Sequence, residues 1–177
     1  MPGSRRLSQR ISEGDGIAII VRVDDADAAR AAEAEGAKAV AVDRRIDGIR
    51  AATSLPVLWL GVAFVDADAA VLRPDDDADH HEVEFVVDVR DEDELELALE
   101  RLDPEIFLLS SAGSDDEDPL DAVLELLPDV PAGKLAIADV HVTSRDDVVA
   151  LERAGIDAVL VQPGSVAGLV GHAPVEV

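Results

Sequence analysis

The chain has 177 residues and a formal net charge of -24, with 39 acidic against 15 basic side chains, and 48% of its residues are hydrophobic. So many aliphatic residues exclude intrinsic disorder, and the negative charge disfavours nucleic acid and anionic membranes as partners, because phosphate binding depends on Lys and Arg. The absence of cysteine excludes disulfides, thiolate catalysis and Cys-ligated zinc, and the length is that of a single domain.

Short, nearly continuous apolar runs rich in β-branched residues predict strands buried on both faces, as in a parallel sheet. They follow an N-terminal extension, residues 1–16, and in chain order they are 17–23, 38–43, 56–60, 83–89, 105–110, 135–139 and 158–162. Helices with recognisable ends are predicted between them at 25–35, 92–102, 119–127 and 144–155.

The segment 66–73, with the sequence DADAAVLR, fits either a helix or a short strand. As a strand it is the eighth and predicts a closed (βα)8 TIM barrel, whereas seven strands predict an open doubly wound α/β sheet. We expect the barrel, formed by residues 17–165, with 166–177 as a C-terminal tail. Such barrels usually take ~250 residues, so this one is minimal, with shortened or missing helices after the third, fourth and eighth strands.

Several segments resemble one enzyme family. Residues 134–148, KLAIADVHVTSRDDV, and 154–161, AGIDAVLV, are similar to the seventh strand, its helix and the eighth strand of indole-3-glycerol-phosphate synthase. The segments IAIIVR at 17–22, LPVLWLG at 55–61 and FVVDVRD at 85–91 resemble its first, third and fifth strands. The resemblance implies a ribulose-phosphate-binding barrel, and in the active family a carbon-carbon lyase of tryptophan biosynthesis.

When the family's chemical residues are transferred to this sequence position by position, most of them fall on residues of another type. The resemblance places the first-strand Glu and Lys on Ile19 and Val21, and the third-strand Lys on Leu60. Because an aliphatic side chain cannot transfer a proton, we do not expect the synthase reaction here. The fifth- and seventh-strand acids are kept as Asp88 and Asp139, and they predict a general acid and base, with Ser110 in the sixth-strand position; the alternative is a purely structural role.

A candidate anion site comes from scarce basic residues at the carboxyl ends of the predicted strands. In a βα barrel these ends form one face, on which a local positive patch would attract an anion. The alternative is that the arginines neutralise Asp24, Asp43, Asp88 and Asp139. The candidate ligand-binding residues are Arg22, Arg44, Arg45, Arg73, Arg90, His141 and the backbone of Gly164 and Ser165.

These features predict a divergent, catalytically silent barrel that still binds a small anionic or phosphorylated ligand. The alternatives are an active lyase or related sugar-phosphate enzyme, and a non-catalytic interaction module that self-associates. No cofactor is expected, since no glycine-rich nucleotide motif is present, and no metal, since His80 and His81 lie in a polar acidic loop.

The acidity itself has two interpretations. Asp is in excess over Glu and only Lys38 and Lys134 are lysines, a composition typical of high-salt adaptation; the alternative is an ordinary acidic protein from a GC-rich genome. No stretch approaches the roughly 20 apolar residues of a membrane helix, so we expect a cytoplasmic protein.

Overall fold

A computed structural model of the chain describes residues 6–13, 16–61, 67–76, 84–110, 118–142 and 144–162. Within them, each strand pairs in parallel with the next and the last pairs with the first, which closes an eight-stranded barrel. The strands are β1 Ala18–Arg22, β2 Ala39–Val42, β3 Val57–Trp59, β4 Ala69–Leu72, β5 Glu84–Val89, β6 Ile106–Ser110, β7 Leu135–Asp139 and β8 Ala158–Val161. The helices are α1 Arg6–Ser12, α2 Ala26–Ala34, α3 Ile49–Ala52, α4 Glu92–Arg101, α5 Pro119–Leu126 and α6 Arg145–Ala154.

The predicted (βα)8 barrel is confirmed, and the open doubly wound sheet is wrong. The segment that decides between them is the ambiguous one, which contains β4 between β3 and β5. Helices follow β1, β2, β5, β6 and β7. In the described residues no helix follows β3 or β4, but 62–66, 77–83 and 163–177, where the remaining shortened or missing helices were predicted, lie outside the description.

Alternate residues of each strand face the barrel interior and the surrounding helices, as the two-residue period of a strand requires. On β1, Ala18 and Ile20 belong to the interior cluster, whereas Ile19 and Val21 pack in the outer cluster with helix residues. A side chain reaches the mouth of a barrel only from an inward position. Ile19 and Val21, on which the resemblance places the first-strand Glu and Lys, therefore face outward, and the inward position at the end of β1 is Arg22.

The N-terminal end of the barrel is closed by α1, which the sequence did not predict. Leu7 and Ile11 are buried in the interior cluster, at 0% and 3% exposure. The carboxylate of Glu84, at the start of β5, accepts hydrogen bonds from the backbone N–H of Leu7 at 2.9 Å and of Ser8 at 3.2 Å. This carboxylate caps the helix where its N–H groups lack intrahelical partners. Only the opposite end of the barrel is left for a ligand.

The helices are fixed at their ends by side chains of the connecting loops. Asp25, Asp91 and Asp118 cap α2, α4 and α5, and Ser144 caps α6, each by accepting a backbone N–H bond from the first turn. Gly155 ends α6 with a φ of 108°, a left-handed conformation that favours glycine. In the described part of the chain, no helix has the length and apolar character to cross a membrane.

Candidate functional site

The candidate site lies at the mouth formed by the carboxyl ends of the strands, the face on which such barrels bind ligands. Arg22, Asp88, Ser110 and Asp139 stand at or near the last positions of β1, β5, β6 and β7. All four are neither fully buried nor fully exposed, which is expected of polar groups that line an open end. The structure therefore brings together the three predicted catalytic residues and one predicted ligand-binding arginine.

An ion pair crosses the mouth between Arg22 and Asp139. Nη2 of Arg22 lies 3.0 Å from Oδ2 of Asp139, although β8 separates their strands in the barrel. Burial raises the pKa of Asp139 above the ordinary aspartate value; the Arg22 charge opposes this rise, and the nearby Asp88 carboxylate adds to it. The Nε of Arg22 is buried and has no hydrogen-bond partner among the described residues. Arg22 thus keeps one donor that has no partner in the described part of the chain.

A second network links Arg73, Asp88 and Ser110. Nη1 of Arg73 donates to the backbone oxygen and to Oδ2 of Asp88, at 3.1 and 3.2 Å, while the Ser110 hydroxyl donates to Oδ1 at 2.6 Å. Ser110 also lies opposite Asp139 in the pairing of β6 with β7. The two networks therefore meet at Ser110, with Asp88 and Asp139 on either side of it.

Glu94 completes the second network and was missed by the sequence analysis. Its Oε2 accepts from Nη2 of Arg73 at 2.5 Å and its Oε1 accepts from the backbone N–H of Arg90 at 3.0 Å. Burial by itself lowers the pKa of Arg73, but Asp88 and Glu94 outweigh it and raise the pKa above the ordinary arginine value. In the sequence Glu94 reads as one of several acids in the first turn of a helix. Only its contact with Arg73 distinguishes it from Glu92 and Asp93.

His141 and Gln162 border a small cavity beside Asp139. Its volume is about 120 Å³, and the ends of β7 and β8 supply its lining. Both side chains are exposed, so neither is committed to the core. The predicted anion-binding residues Gly164 and Ser165 lie outside the described residues.

In the described contacts, the guanidinium groups of the remaining predicted arginines take no part in this network. Arg44 is exposed and pairs with Asp24 at 3.2 Å, and Arg45 pairs with Asp47 at 3.5 Å. Arg90 is exposed at the end of β5. Of the acid partners foreseen in the neutralisation alternative, Asp24, Asp88 and Asp139 do bind arginine. For Arg44 and Arg45, pairing at rest and binding of a ligand are compatible, since exposed ion pairs such as theirs contribute only about 0 to 1 kcal/mol.

The chemistry available at the mouth is that of carboxylates, a hydroxyl and guanidinium groups. The only two lysines of the chain, Lys38 and Lys134, directly precede β2 and β7 and so lie at the closed end of the barrel. No described lysine can therefore act as an acid or form a Schiff base at the mouth. Among the described residues no group of three metal-ligating side chains comes together; His80 and His81 lie outside them.

Comparison with known proteins agrees with this architecture. No protein-family model matches the chain. An indole-3-glycerol phosphate synthase from Variovorax paradoxus is 37% identical over 76 residues, which are 43% of this chain and 29% of the relative. The match thus spans less than a third of that protein. Among solved structures, the N-acetylmannosamine-6-phosphate 2-epimerase from Clostridium perfringens superposes with a TM-score of 0.65 and 16% identity, covering 85% of this chain and 88% of the other. This second likeness shows the fold.

Proposed function

We propose that the chain is a ribulose-phosphate-type barrel that binds a small anionic, phosphorylated ligand at its mouth and lacks synthase activity. The observation that carries the proposal is the placement of Arg22 and Arg73 at the mouth, from opposite sides of the barrel. In a chain of charge -24, two guanidinium groups at one opening form a local site for an anion. Arginine forks also suit phosphate oxygens, which they bind in a bidentate manner.

Arg22 is the group that we expect an anionic ligand to bind. Its Nε has no partner among the described residues, and its other contact there is with Asp139, whose pKa is raised. When an anion takes the place of Asp139 beside Arg22, the carboxylate loses its compensating charge and binds a proton more readily. We therefore expect ligand binding to be coupled to proton uptake at Asp139.

The side chains that face the mouth support the proposed absence of synthase activity. Leu60 packs against the interior cluster where the family resemblance requires a lysine, and Arg22 stands at the inward end of β1. Arginine does not release its proton in the accessible pH range, so it cannot replace a lysine that acts as a general acid. An assay for indole-3-glycerol phosphate formation should give no turnover. Turnover that disappears in an Asp139→Asn variant would show that the chain is a synthase after all.

Isothermal titration calorimetry tests the binding site directly. Inorganic phosphate and ribose 5-phosphate should bind at millimolar or lower concentration, whereas ribose should not. Arg22→Gln should weaken binding by about tenfold or more, because a charge-assisted hydrogen bond is lost. Arg30→Gln is the matched control, since Arg30 carries the same charge on the exposed face of α2 and pairs only locally with Asp27. Equal affinity in both variants would contradict a site at the mouth.

A repeat titration in buffers with different ionisation enthalpies measures the proton uptake. The apparent binding enthalpy should change with the buffer in the wild type and not in Asp139→Asn. A buffer-independent enthalpy in the wild type would remove Asp139 from the mechanism while leaving the anion site intact.

A second candidate function, proton transfer on a sugar phosphate, is favoured by the environment of Asp139. A carboxyl group with a raised pKa close to a second carboxyl group, that of Asp88, has the arrangement of a general acid and base pair. Such a pair would remove a proton from carbon next to a carbonyl and return it. Incubation in D2O with N-acetylmannosamine 6-phosphate and ribulose 5-phosphate, followed by proton NMR, should then show loss of that C–H signal. No exchange with either compound would leave binding as the function.

A further inference from the structure

A second cavity lies outside the barrel, beneath α3. Its volume is about 560 Å³, within the range of small-molecule pockets, and its lining includes none of Arg22, Arg73, Asp88, Ser110 and Asp139. It exists because α3 has only four residues, whereas α2, α4, α5 and α6 have eight to ten. One helical turn cannot cover the outer faces of β2 and β3.

The floor of the cavity is apolar. Val42 and Val57 belong to the outer cluster of the core, and Ile46 and Ile49 form the wall from the loop and from α3. All four side chains are aliphatic, so the floor would gain free energy from contact with an apolar group, at roughly 25 cal/mol for each Å² removed from water. The body of a ligand that fits here is therefore hydrocarbon.

The rim of the cavity is positively charged. Three guanidinium groups, those of Arg44, Arg45 and Arg50, lie around it, against the single carboxylate of Asp47. Such a concentration is unusual in a chain with only 15 basic residues in total. Arg50 also pairs with the buried Asp68 at 2.7 Å and so has a structural role. Among the described residues, Arg44 and Arg45 form exposed ion pairs, which a competing anion can replace at little cost.

We propose that this cavity binds a small amphipathic anion, with the hydrocarbon body on the valine and isoleucine floor and a carboxylate or phosphate head group between Arg44 and Arg45. Neither the apolar floor nor the arginines would be enough to bind a ligand alone. The floor has no polar group for a sugar, and exposed arginines hold a free anion only weakly in water. The site is separate from the proposed function at the mouth, and each stands or fails on its own.

The fluorescence of Trp59 can report binding in this cavity. This residue is the only tryptophan, it is buried, and it lies opposite Val42 of the cavity floor in the pairing of β2 with β3. Octanoate added to the intact chain at low ionic strength should change its emission and saturate. Octanol, which lacks the charge, and inorganic phosphate, which lacks the hydrocarbon, should each bind at least about tenfold more weakly, as expected when one charge-assisted contact or most of the apolar contact is lost.

Four variants, one of them a control, locate the binding site. The double variant Arg44→Glu, Arg45→Glu should weaken octanoate binding about tenfold or more, and Ala51→Phe, at an exposed position on the lining, should block the hydrocarbon without a change in charge. Arg30→Glu is the control, since the side chains of Arg30 and Arg44 are both 63% exposed. Octanol binding as tightly as octanoate, or wild-type affinity in the double variant or in Ala51→Phe, would overturn the proposal. So would loss of octanoate binding in Arg22→Gln, since it would move the site to the mouth.

Discussion

Replacement of Leu7 by alanine tests whether α1 closes the N-terminal end of the barrel. The assignment of a single open mouth depends on this closure. Leu7 is fully buried and is among the largest side chains with no exposure. A Leu→Ala change at such a site costs about 3 kcal/mol, from lost apolar transfer and the cavity left behind. For a chain of this length that is a fall in Tm of about 6 to 12 °C. The expected loss is thus far above that of an ordinary surface substitution.

The measurement is a urea titration followed by Trp59 fluorescence and far-ultraviolet circular dichroism. Urea is preferred to guanidinium because guanidinium is a salt and would screen the charge of -24. Leu97→Ala is the matched control, since Leu97 is the same residue type at 37% exposure, and it should cost less than about 1 kcal/mol. Equal costs for Leu7→Ala and Leu97→Ala would refute the docking of α1 into the barrel.

A double-mutant cycle of Leu7 and Glu84 tests whether the Glu84 carboxylate holds α1 in place. Glu84→Ala removes the carboxylate that accepts from Leu7 and Ser8, and should by itself cost about 1 kcal/mol, as the loss of a helix cap does. Because both substitutions act through the same docked helix, the double variant should cost less than the sum of the two. Strict additivity would mean that Glu84 does not hold α1 in place.

Three further predictions concern charge. The pKa of Asp139 is raised in the folded state, so the native protein keeps this proton at a pH at which the unfolded chain has lost it. The free energy of unfolding should therefore fall as pH rises from the ordinary aspartate pKa to the pKa in the folded state. Urea titrations across this range should show a weaker dependence on pH in Asp139→Asn. Asp68→Ala should lower the free energy of unfolding by about 2 to 4 kcal/mol in the same assay. It removes the carboxylate that accepts a hydrogen bond from the N–H of Val57 at 2.8 Å and that pairs with Arg50. If the acidity reflects high-salt adaptation, Tm should keep rising in KCl above about 1 M, beyond simple screening; a plateau below that would contradict it.

The strands could be predicted from the sequence because each is a short apolar run between polar segments. The segment around Ala69 and Val71 was ambiguous because its sequence, DADAAVLR, mixes aspartate and alanine and has a single β-branched residue. The two helices that were missed, α1 and α3, have seven and four residues, too few for a helical period to show. Their existence depends on tertiary contacts, such as those of Leu7 in the barrel interior.

The candidate site was predicted in part for a related reason. Asp88, Asp139 and Arg22 lie at the mouth, where the sequence placed them, but the positions that the family resemblance assigned on β1, Ile19 and Val21, face the helices instead. Glu94 was missed because a helix position gives no sign of which strand residue it will contact. Sequence patterns thus identified the end of the barrel, while the pairing of its charges required the structure.

The helix caps explain why arginine side chains carry the proposed anion site. A βα barrel can bind an anion at the N-terminus of a helix, where free N–H groups and the helix dipole favour negative charge. Here Asp25, Asp91 and Asp118 already accept from those N–H groups in α2, α4 and α5. A second anion would meet a carboxylate at each of these three ends. At these three ends positive charge for a ligand must therefore come from side chains, and Arg22 and Arg73 lie at the mouth to supply it.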